Sequence, residues 1–177
     1  MDVNGFKGPN SEARNGKQYD IRSFKVAKFS KGCAGKDIDG IGCIYTLPSY
    51  SPIKAGDPEM DKWDPKWNSD CTFEVWNSTI GWYSWVPCKT RDNYWAGAKK
   101  ACDDIGMSLP DESKLESIYH KVIENDYTGR TGIPTGTYWS SSENGAKHAV
   151  VMRSYDGATF NGTTKDISVY KVLCVGD

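Results

Sequence analysis

The residues of this 177-residue chain that could do chemistry are its two histidines, a serine cluster and six cysteines. A nucleophilic site needs a serine or cysteine beside a base, with a third group that orients the base. His120 falls on a predicted helix, His148 lies in a later strand region, and no Gly-x-Ser-x-Gly motif occurs. The serines at 140–142 are better interpreted as hydrogen-bonding groups at a strand end. The pattern predicts that the protein is not an enzyme. A glycosidase-type carboxylate pair is the alternative that stays open, because sequence does not give the distance between two carboxylates.

The cysteines favour disulfides over a metal site. No Cys-x-x-Cys motif occurs, and the even number of cysteines is typical of an oxidising compartment. Short separations favour Cys33 with Cys43 around a glycine-rich turn. The same reasoning joins Cys71 to Cys88 across two strands, which leaves Cys102 with Cys174. Other pairings, and a fully reduced set, stay open on sequence alone.

Composition and charge exclude two classes of partner. The formal net charge is −1 and there is no basic run, so the charge pattern of nucleic-acid binding is missing. No apolar stretch approaches about 18 residues, so we expect no direct membrane insertion. Together with the cysteines, these features predict an extracellular or cell-surface protein.

The elements that must position these residues follow from the periodicity of the second half. Aromatic residues on both sides of an Asn-Ser-Thr-Ile-Gly turn predict a hairpin over 72–86. Apolar stripes predict helices over 93–105, with Asp92 as N-cap, and over 112–124, with Asp111 as N-cap. Short strands are predicted near 138–141, 146–153, 158–160 and 168–175.

The first part of the chain has weaker signals. Alternation predicts one or two strands within 19–29, and 44–47 predicts another. Residues 31–43 are typical of a turn, and 49–70 of a long loop packed by Trp63 and Trp67. No internal repeat occurs.

A series of short motifs runs through the second half. The hairpin Val-Trp-Asn-Ser-Thr-Ile-Gly-Trp-Tyr-Ser-Trp (75–85) is a variant of Val-x-(Asp/Asn)-x-x-Thr-Gly-Leu-x-Trp. Residues 95–102 match Trp-x-x-Ala-x-x-x-Cys. Residues 109–115 match Leu-Pro-(Thr/Ser)-x-x-Glu-Leu in part, with Lys114 at the position where this pattern has Glu. Tyr-Trp-Ser-Ser-Ser-Glu (138–143) and Val-Leu-Cys-Val (172–175) complete the series.

In this order the motifs resemble those of C-type lectin-like domains, and most of all the bacterial branch exemplified by the C-terminal domain of collagen-like adhesins. The resemblance implies an α+β, C-type lectin-like fold at 71–177, with two helices and small antiparallel sheets held by disulfides. It leaves 1–70 as an N-terminal extension of short strands and loops. It implies an extracellular ligand-binding or adhesion module. Its partners would be a protein or glycan ligand on another cell or surface, with pilus or surface-assembly partners as a further possibility.

Ligand contacts are expected between Trp139 and Thr164, because exposed Tyr and Arg residues are favoured at binding hot spots. Some members of the branch are variable proteins of diversity-generating retroelements, whose ligand-contacting residues change through adenine-directed mutagenesis. The hypothesis predicts that Lys147 and Met152 do not vary between copies of the gene. Sequencing the 3′ end of the gene across its source population tests it. The opposing interpretation is that alternate strand residues pack inward. The candidate contact residues are Asn144, His148, Arg153, Tyr155, Asp156, Phe160 and Asn161.

Neither a metal nor a cofactor is predicted. The Glu-Pro-Asn or Gln-Pro-Asp and Trp-Asn-Asp triplets of calcium-dependent sugar binding are missing, and Glu143 is expected to bond backbone amides. Trp95 and Trp139 are expected in the core. Core or loop packing is favoured over a sugar-stacking platform for Trp63, Trp67, Trp82 and Trp85. The alternative function is a structural, pilin-like surface subunit that lacks its hydrophobic assembly helix.

Overall fold

The computed structural model describes residues 33, 35–69, 71–124 and 132–176. Residues 35–177 form one compact unit. The domain boundary expected after residue 70 stays a prediction. The strands predicted within 19–29 lie outside the described residues. The described part is an α+β structure with three small antiparallel sheets.

The first sheet joins the two ends of the compact unit. It consists of β1 (Lys36–Ile38), β2 (Gly42–Thr46) and β8 (Leu173–Gly176), in the order β1-β2-β8. The strand predicted at 44–47 is confirmed as β2. The turn predicted over 31–43 is wrong where β1 lies, because Lys36–Ile38 pairs with β2. Residues 39–41, between the two strands, form a turn.

The predicted aromatic hairpin is confirmed as β3 (Thr72–Asn77) and β4 (Trp82–Pro87). Asn77 shapes the turn: its side-chain oxygen accepts from Thr79 N at 3.0 Å, and its carbonyl accepts from Gly81 N at 2.9 Å. Gly81 has φ 68°, a conformation that favours glycine. At the base of the hairpin, the predicted disulfide joins Cys71 to Cys88.

The segment predicted as a long loop at 49–70 contains two short helical pieces. They are α1 (Met60–Trp63) and a 3₁₀ turn at Pro65–Asn68. Trp67 is fully buried, as expected for a residue that packs this segment. Its indole N–H donates to the carbonyl of Arg91 at 3.3 Å. This bond links the segment to the residues that immediately precede the next helix.

The first predicted helix is confirmed as α2 (Tyr94–Asp104), but its N-cap is Asn93. The Asn93 side chain accepts from Ala96 N at 2.8 Å. Asp92, the predicted cap, instead accepts from Ala55 N at 2.9 Å. Both residue types cap helices well, so the tertiary contact with residue 55 decided between them.

The second predicted helix begins at the expected residue and changes from α-helical to π-helical hydrogen bonding partway along. In α3 (Glu112–Ile118), Asp111 is the N-cap and accepts from Lys114 N at 2.7 Å, which confirms the prediction. The segment continues as a π-helical turn, Tyr119–Ile123, instead of a regular α-helix to 124.

The third sheet carries the predicted contact residues. It contains β5 (Thr137–Glu143), β6 (His148–Arg153) and β7 (Thr159–Thr164) in that order. Val151 lies at its centre, opposite Trp139 on one side and Phe160 on the other. The register shifts between Trp139 and Glu143 and again between Ala149 and Val151, so both strand pairs are irregular.

The core surrounds the last strand. Trp95 and Trp139 are fully buried, as predicted. In the last strand Leu173 is buried, and so are its neighbours Val172 and Cys174. Leu173 packs in one apolar cluster and its two neighbours in another, because this strand is covered on both faces.

Disulfides fasten this architecture. The predicted bond between Cys102 and Cys174 joins α2 to β8 across 72 residues. Cys33 and Cys43 are disulfide-bonded as well, and no cysteine is free. Three disulfides indicate an oxidising environment. The helices that the structure describes are too short and too polar to span a bilayer.

Candidate functional site

Four of the predicted contact residues meet at the turn between β6 and β7. Arg153 ends β6 and pairs with Asp156: its Nε donates to Oδ1 at 3.0 Å, and its Nη2 donates to Oδ2. The guanidinium carbon lies 4.5 Å from the ring centre of Tyr155 and 5.0 Å from that of Phe160. The four side chains therefore form one assembly, which we name the β6–β7 surface: Arg153, Tyr155, Asp156 and Phe160.

The charges of this surface are balanced internally. The hydrogen bond from Arg153 lowers the pKa of the Asp156 carboxyl below its usual value, and the same bond raises the pKa of Arg153. Both groups stay ionised near neutral pH, and their charges cancel. Tyr155 is 65% exposed and Phe160 43% exposed, so two aromatic rings face solvent around a neutralised ion pair.

The turn that carries the β6–β7 surface is held against the helical layer. Gly157 has φ 74°, and a Cβ at this position would lie 2.6 Å from ring carbons of Tyr119. Asp156 also accepts from Ala158 N at 3.0 Å. A turn fixed from both sides loses little conformational entropy when a ligand binds.

A shallow cleft of about 610 Å³ adjoins the β6–β7 surface. Arg153 and Phe160 line it, which makes it continuous with the assembly above. Its other polar groups are hydroxyls, an amide and the carboxylate of Glu112, so the cleft can donate to a ligand and accept from it. The hydroxyl and amide groups belong to Thr137, Thr159, Asn161, Thr163 and Tyr170.

The remaining candidates lie around the loop that precedes β6. The Asn144 side chain donates to the carbonyl of Asn161 at 2.7 Å, and Asn144 N donates to the carbonyl of His148 at 2.9 Å. Burial, followed by the charges of Lys147 and Lys165, lowers the pKa of His148 below its usual value. Asn161 connects these candidates to the β6–β7 surface, because it also lines the cleft that adjoins that surface.

Sequence reasoning missed a buried ionic cluster behind this sheet. Lys165 is fully buried, and its Nζ donates to Asp64 Oδ2 at 2.9 Å and to the carbonyl of Ala146 at 2.9 Å. Asn93 donates to the same Asp64 oxygen at 2.8 Å. The run Thr-Thr-Lys-Asp at 163–166 looks like an exposed strand end, so no pattern signalled a buried lysine.

Glu143 belongs to this cluster and does not bond backbone amides as predicted. Its Oε1 lies 3.3 Å from Lys165 Nζ and 3.6 Å from Lys66 Nζ. An ammonium group thus occupies the space between Glu143 and Asp64. Among the described residues, no three His, Cys, Asp or Glu side chains are grouped to hold a metal ion.

The residues considered for catalysis have other partners. His120 Nδ1 lies 3.1 Å from Glu124 Oε1 on the exposed side of the helical segment. Ser140 Oγ accepts from Ser142 N at 3.1 Å, and Ser142 Oγ accepts from Glu112 N at 3.0 Å. The serine interpretation, hydrogen bonding at a strand end, is therefore confirmed for Ser140 and Ser142.

The prediction of core or loop packing for four tryptophans is only half right. Trp67 is buried and Trp63 half-buried, but Trp82 is 70% and Trp85 61% exposed. The β3–β4 hairpin forms a sheet of its own, so one of its faces is left open. We name this the outer hairpin face; it carries Glu74, Trp76, Tyr83 and Trp85.

The chain matches no protein-family model, and no curated protein matches it either. What its surfaces bind is therefore inferred from their own side chains. The resemblance to C-type lectin-like domains, which rests on motifs such as 95–102 and 138–143, stays a prediction.

Proposed function

We propose that the protein is an extracellular ligand-binding or adhesion module, and that the β6–β7 surface with its cleft is the recognition site. The observation that carries the proposal is the exposure of Tyr155 and Phe160 on a turn held by the Arg153–Asp156 pair. Aromatic rings of this kind supply contact area at a low entropic cost, and Tyr and Arg are frequent binding hot spots.

The surroundings of the site favour an uncharged or positively charged ligand over an anion. The ion pair is internally neutral, and the cleft presents hydroxyl and amide groups beside the Glu112 carboxylate. A glycan, or a polar segment of a protein, would find hydrogen-bond partners there and rings to pack against. These are the two ligand classes that the sequence led us to expect.

The architecture is consistent with a C-type lectin-like domain, which we propose as the fold class. The supporting features are the two predicted helices, present as α2 and α3, a disulfide from α2 to the last strand, and pairing of β8 with β2 near the start of the compact unit. A scaffold fastened in this way can present loops without rearrangement of the core.

The experiment is a binding screen followed by substitution. The labelled protein is applied to immobilised glycans and to intact cells, and the targets that it binds are retested with Tyr155→Ala/Phe160→Ala. Loss of two hot-spot side chains is expected to weaken binding by about 2 kcal/mol or more, roughly 30-fold. The Tm should change little, because both rings are exposed.

Ile105→Ala is the matched control, since it removes another exposed apolar side chain, at the end of α2 and outside the proposed site. It should bind as the unmodified protein does. The proposal fails if the double variant also retains full binding, or if the unmodified protein binds no target. A large fall in Tm would identify Tyr155 and Phe160 as structural residues instead.

A further inference from the structure

The outer hairpin face is an exposed aromatic surface with one carboxylate. In the strand register Glu74 lies opposite Trp85, and Trp76 lies opposite Tyr83. Alternation along each strand places all four side chains on the same side. Trp76 is 59% and Trp85 61% exposed, and a patch of this kind on a monomer commonly marks an interaction site.

Charge is distributed unevenly along the hairpin. Residues 75–88 include no Asp, Glu, Lys, Arg or His, so Glu74 is the one charge on the outer hairpin face. Within the described part of the chain, its carboxylate makes no hydrogen bond and no ion pair. Three rings and an unpaired carboxylate together favour a positively charged ligand group.

The chain itself contains this arrangement twice, each time completed by an arginine. Arg153 lies over Tyr155 and Phe160 and pairs with Asp156, as described above. Arg91 lies 5.1 Å from the ring centre of Phe73, and its Nη1 is 3.0 Å from Asp166 Oδ2. In both cases at least one aromatic ring contacts the guanidinium while a carboxylate accepts from it.

On the outer hairpin face the rings and the carboxylate are present, and no arginine of the described residues accompanies them. Among the described residues, the cation in contact with this face is Lys147, whose Nζ lies 5.4 Å from the ring centre of Trp85 and donates to the carbonyl of Thr72. It reaches the base of the hairpin only. Trp76 and Tyr83 have no described cation over them.

We propose that the outer hairpin face is a second interaction surface, and that it binds an arginine side chain presented by a protein partner. The guanidinium stacks on Trp76 and Tyr83 and donates to the Glu74 carboxylate. A hydrogen bond between two ionised groups is stronger than a neutral one, and the stacked rings reduce its contact with water.

Geometry and charge favour this occupant over a neutral glycan or an anionic lipid surface. The Trp76 and Tyr83 rings meet at 78°, so they present a corner instead of one flat platform. A neutral ligand would cover Glu74 without compensating its charge, which is costly, and anionic headgroups would be repelled by it. Arg and aromatic residues are also enriched at protein interfaces.

The test uses the full chain labelled with ¹⁵N and follows the tryptophan indole N–H signals by NMR. The probes are acetyl-Thr-Arg-Thr-amide and the same peptide with citrulline, a neutral isostere of arginine. Trp76→Phe and Trp85→Phe assign the signals. The arginine peptide is expected to shift the Trp76 and Trp85 signals, and the citrulline peptide to shift them at least about threefold less, because the charge contributes to binding.

Glu74→Gln should weaken binding of the arginine peptide by about two- to fivefold, because it removes one exposed ion pair and leaves the ring contacts in place. Glu116→Gln is the matched control, since it removes an exposed glutamate of α3 and should leave the affinity unchanged. The Tm of both variants should equal that of the unmodified chain. An unchanged Tm would show that a loss of affinity does not come from a loss of folding stability.

The proposal is overturned by equal shifts with both peptides, by an unchanged affinity in Glu74→Gln, or by the absence of any shift at peptide concentrations well above the millimolar range. Shifts caused by a neutral oligosaccharide alone would identify a glycan surface instead, which also overturns it. The outer hairpin face shares no residue with the β6–β7 surface. Failure of the arginine-binding proposal therefore leaves the proposed function intact. Failure of the proposed function likewise leaves the arginine-binding proposal intact.

Discussion

At the residue scale, Lys165 is the side chain whose environment departs most from its ordinary behaviour. A lysine is rarely fully buried unless it is paired, and here two carboxylates and a carbonyl receive its ammonium group. Its Nζ also lies 4.1 Å from the ring centre of Trp95. These contacts join the loop that contains Asp64 to the sheet that carries the β6–β7 surface.

Lys165→Met is expected to destabilise the protein by about 3–5 kcal/mol, because it leaves a buried Asp64 carboxylate without its counter-charge. Urea unfolding measures the loss. Lys66→Met is the matched control: Lys66 contacts Glu143 from the surface, so its removal should cost about 1 kcal/mol or less. Adding Asp64→Leu to Lys165→Met should recover part of the loss, since both buried charges are then gone. A cost below about 1 kcal/mol for Lys165→Met would contradict this account.

At the element scale, two disulfides of very different span hold α2, β8 and the hairpin. Cys102 and Cys174 are 72 residues apart, whereas Cys71 and Cys88 are 17 apart. All four cysteines are buried. In the chain-entropy model a disulfide stabilises mainly by restricting the unfolded chain, so the longer closure contributes more.

Replacing Cys102 and Cys174 by Ala should therefore cost about 4 kcal/mol, and replacing Cys71 and Cys88 about 3 kcal/mol. The two double variants are compared by urea unfolding under the same non-reducing conditions. Because each variant removes a similar buried pair, packing losses largely cancel in the comparison. Equal costs, or a larger cost for the hairpin pair, would show that native packing dominates over chain entropy.

At the scale of the whole molecule, the compact unit is closed by segments far apart in sequence. β2 pairs with β8, and Ile53 forms a bridge with Asn93. Trp67 and Met60 also contribute to a core cluster together with Phe73 and Ala96. Residues 35–69 thus supply both a strand and core side chains to the second half.

A fragment of 71–177 is accordingly expected to lose cooperative unfolding and its near-ultraviolet circular dichroism, because β8 and Phe73 lose their partners. A fragment of 35–177 should keep both. Since this longer fragment lacks Cys33, it carries Cys43→Ala and is compared with the full chain bearing Cys33→Ala/Cys43→Ala. Cooperative unfolding of 71–177 would show that the boundary after residue 70 is a true domain boundary.

Much of the second half was predictable because its signals are local. The hairpin turn at Asn77–Gly81, the Asp111 cap and the burial of Trp95 depend on residues within a few positions or on the size of one apolar side chain. The pairing of Cys102 with Cys174 followed once the closer cysteines were assigned to each other. The chain's periodicity was therefore sufficient to predict which elements form and which rings enter the core.

Only the tertiary structure decided the features that require distant segments to meet. Asn93 caps α2 because Asp92 is engaged by residue 55, and Lys165 is buried because Asp64 approaches from another part of the chain. Trp85 is exposed because no described element covers the outer hairpin face. A side chain's type sets what it can bond. Its partners are set by how the chain closes on itself, which no local pattern of apolar and polar residues encodes.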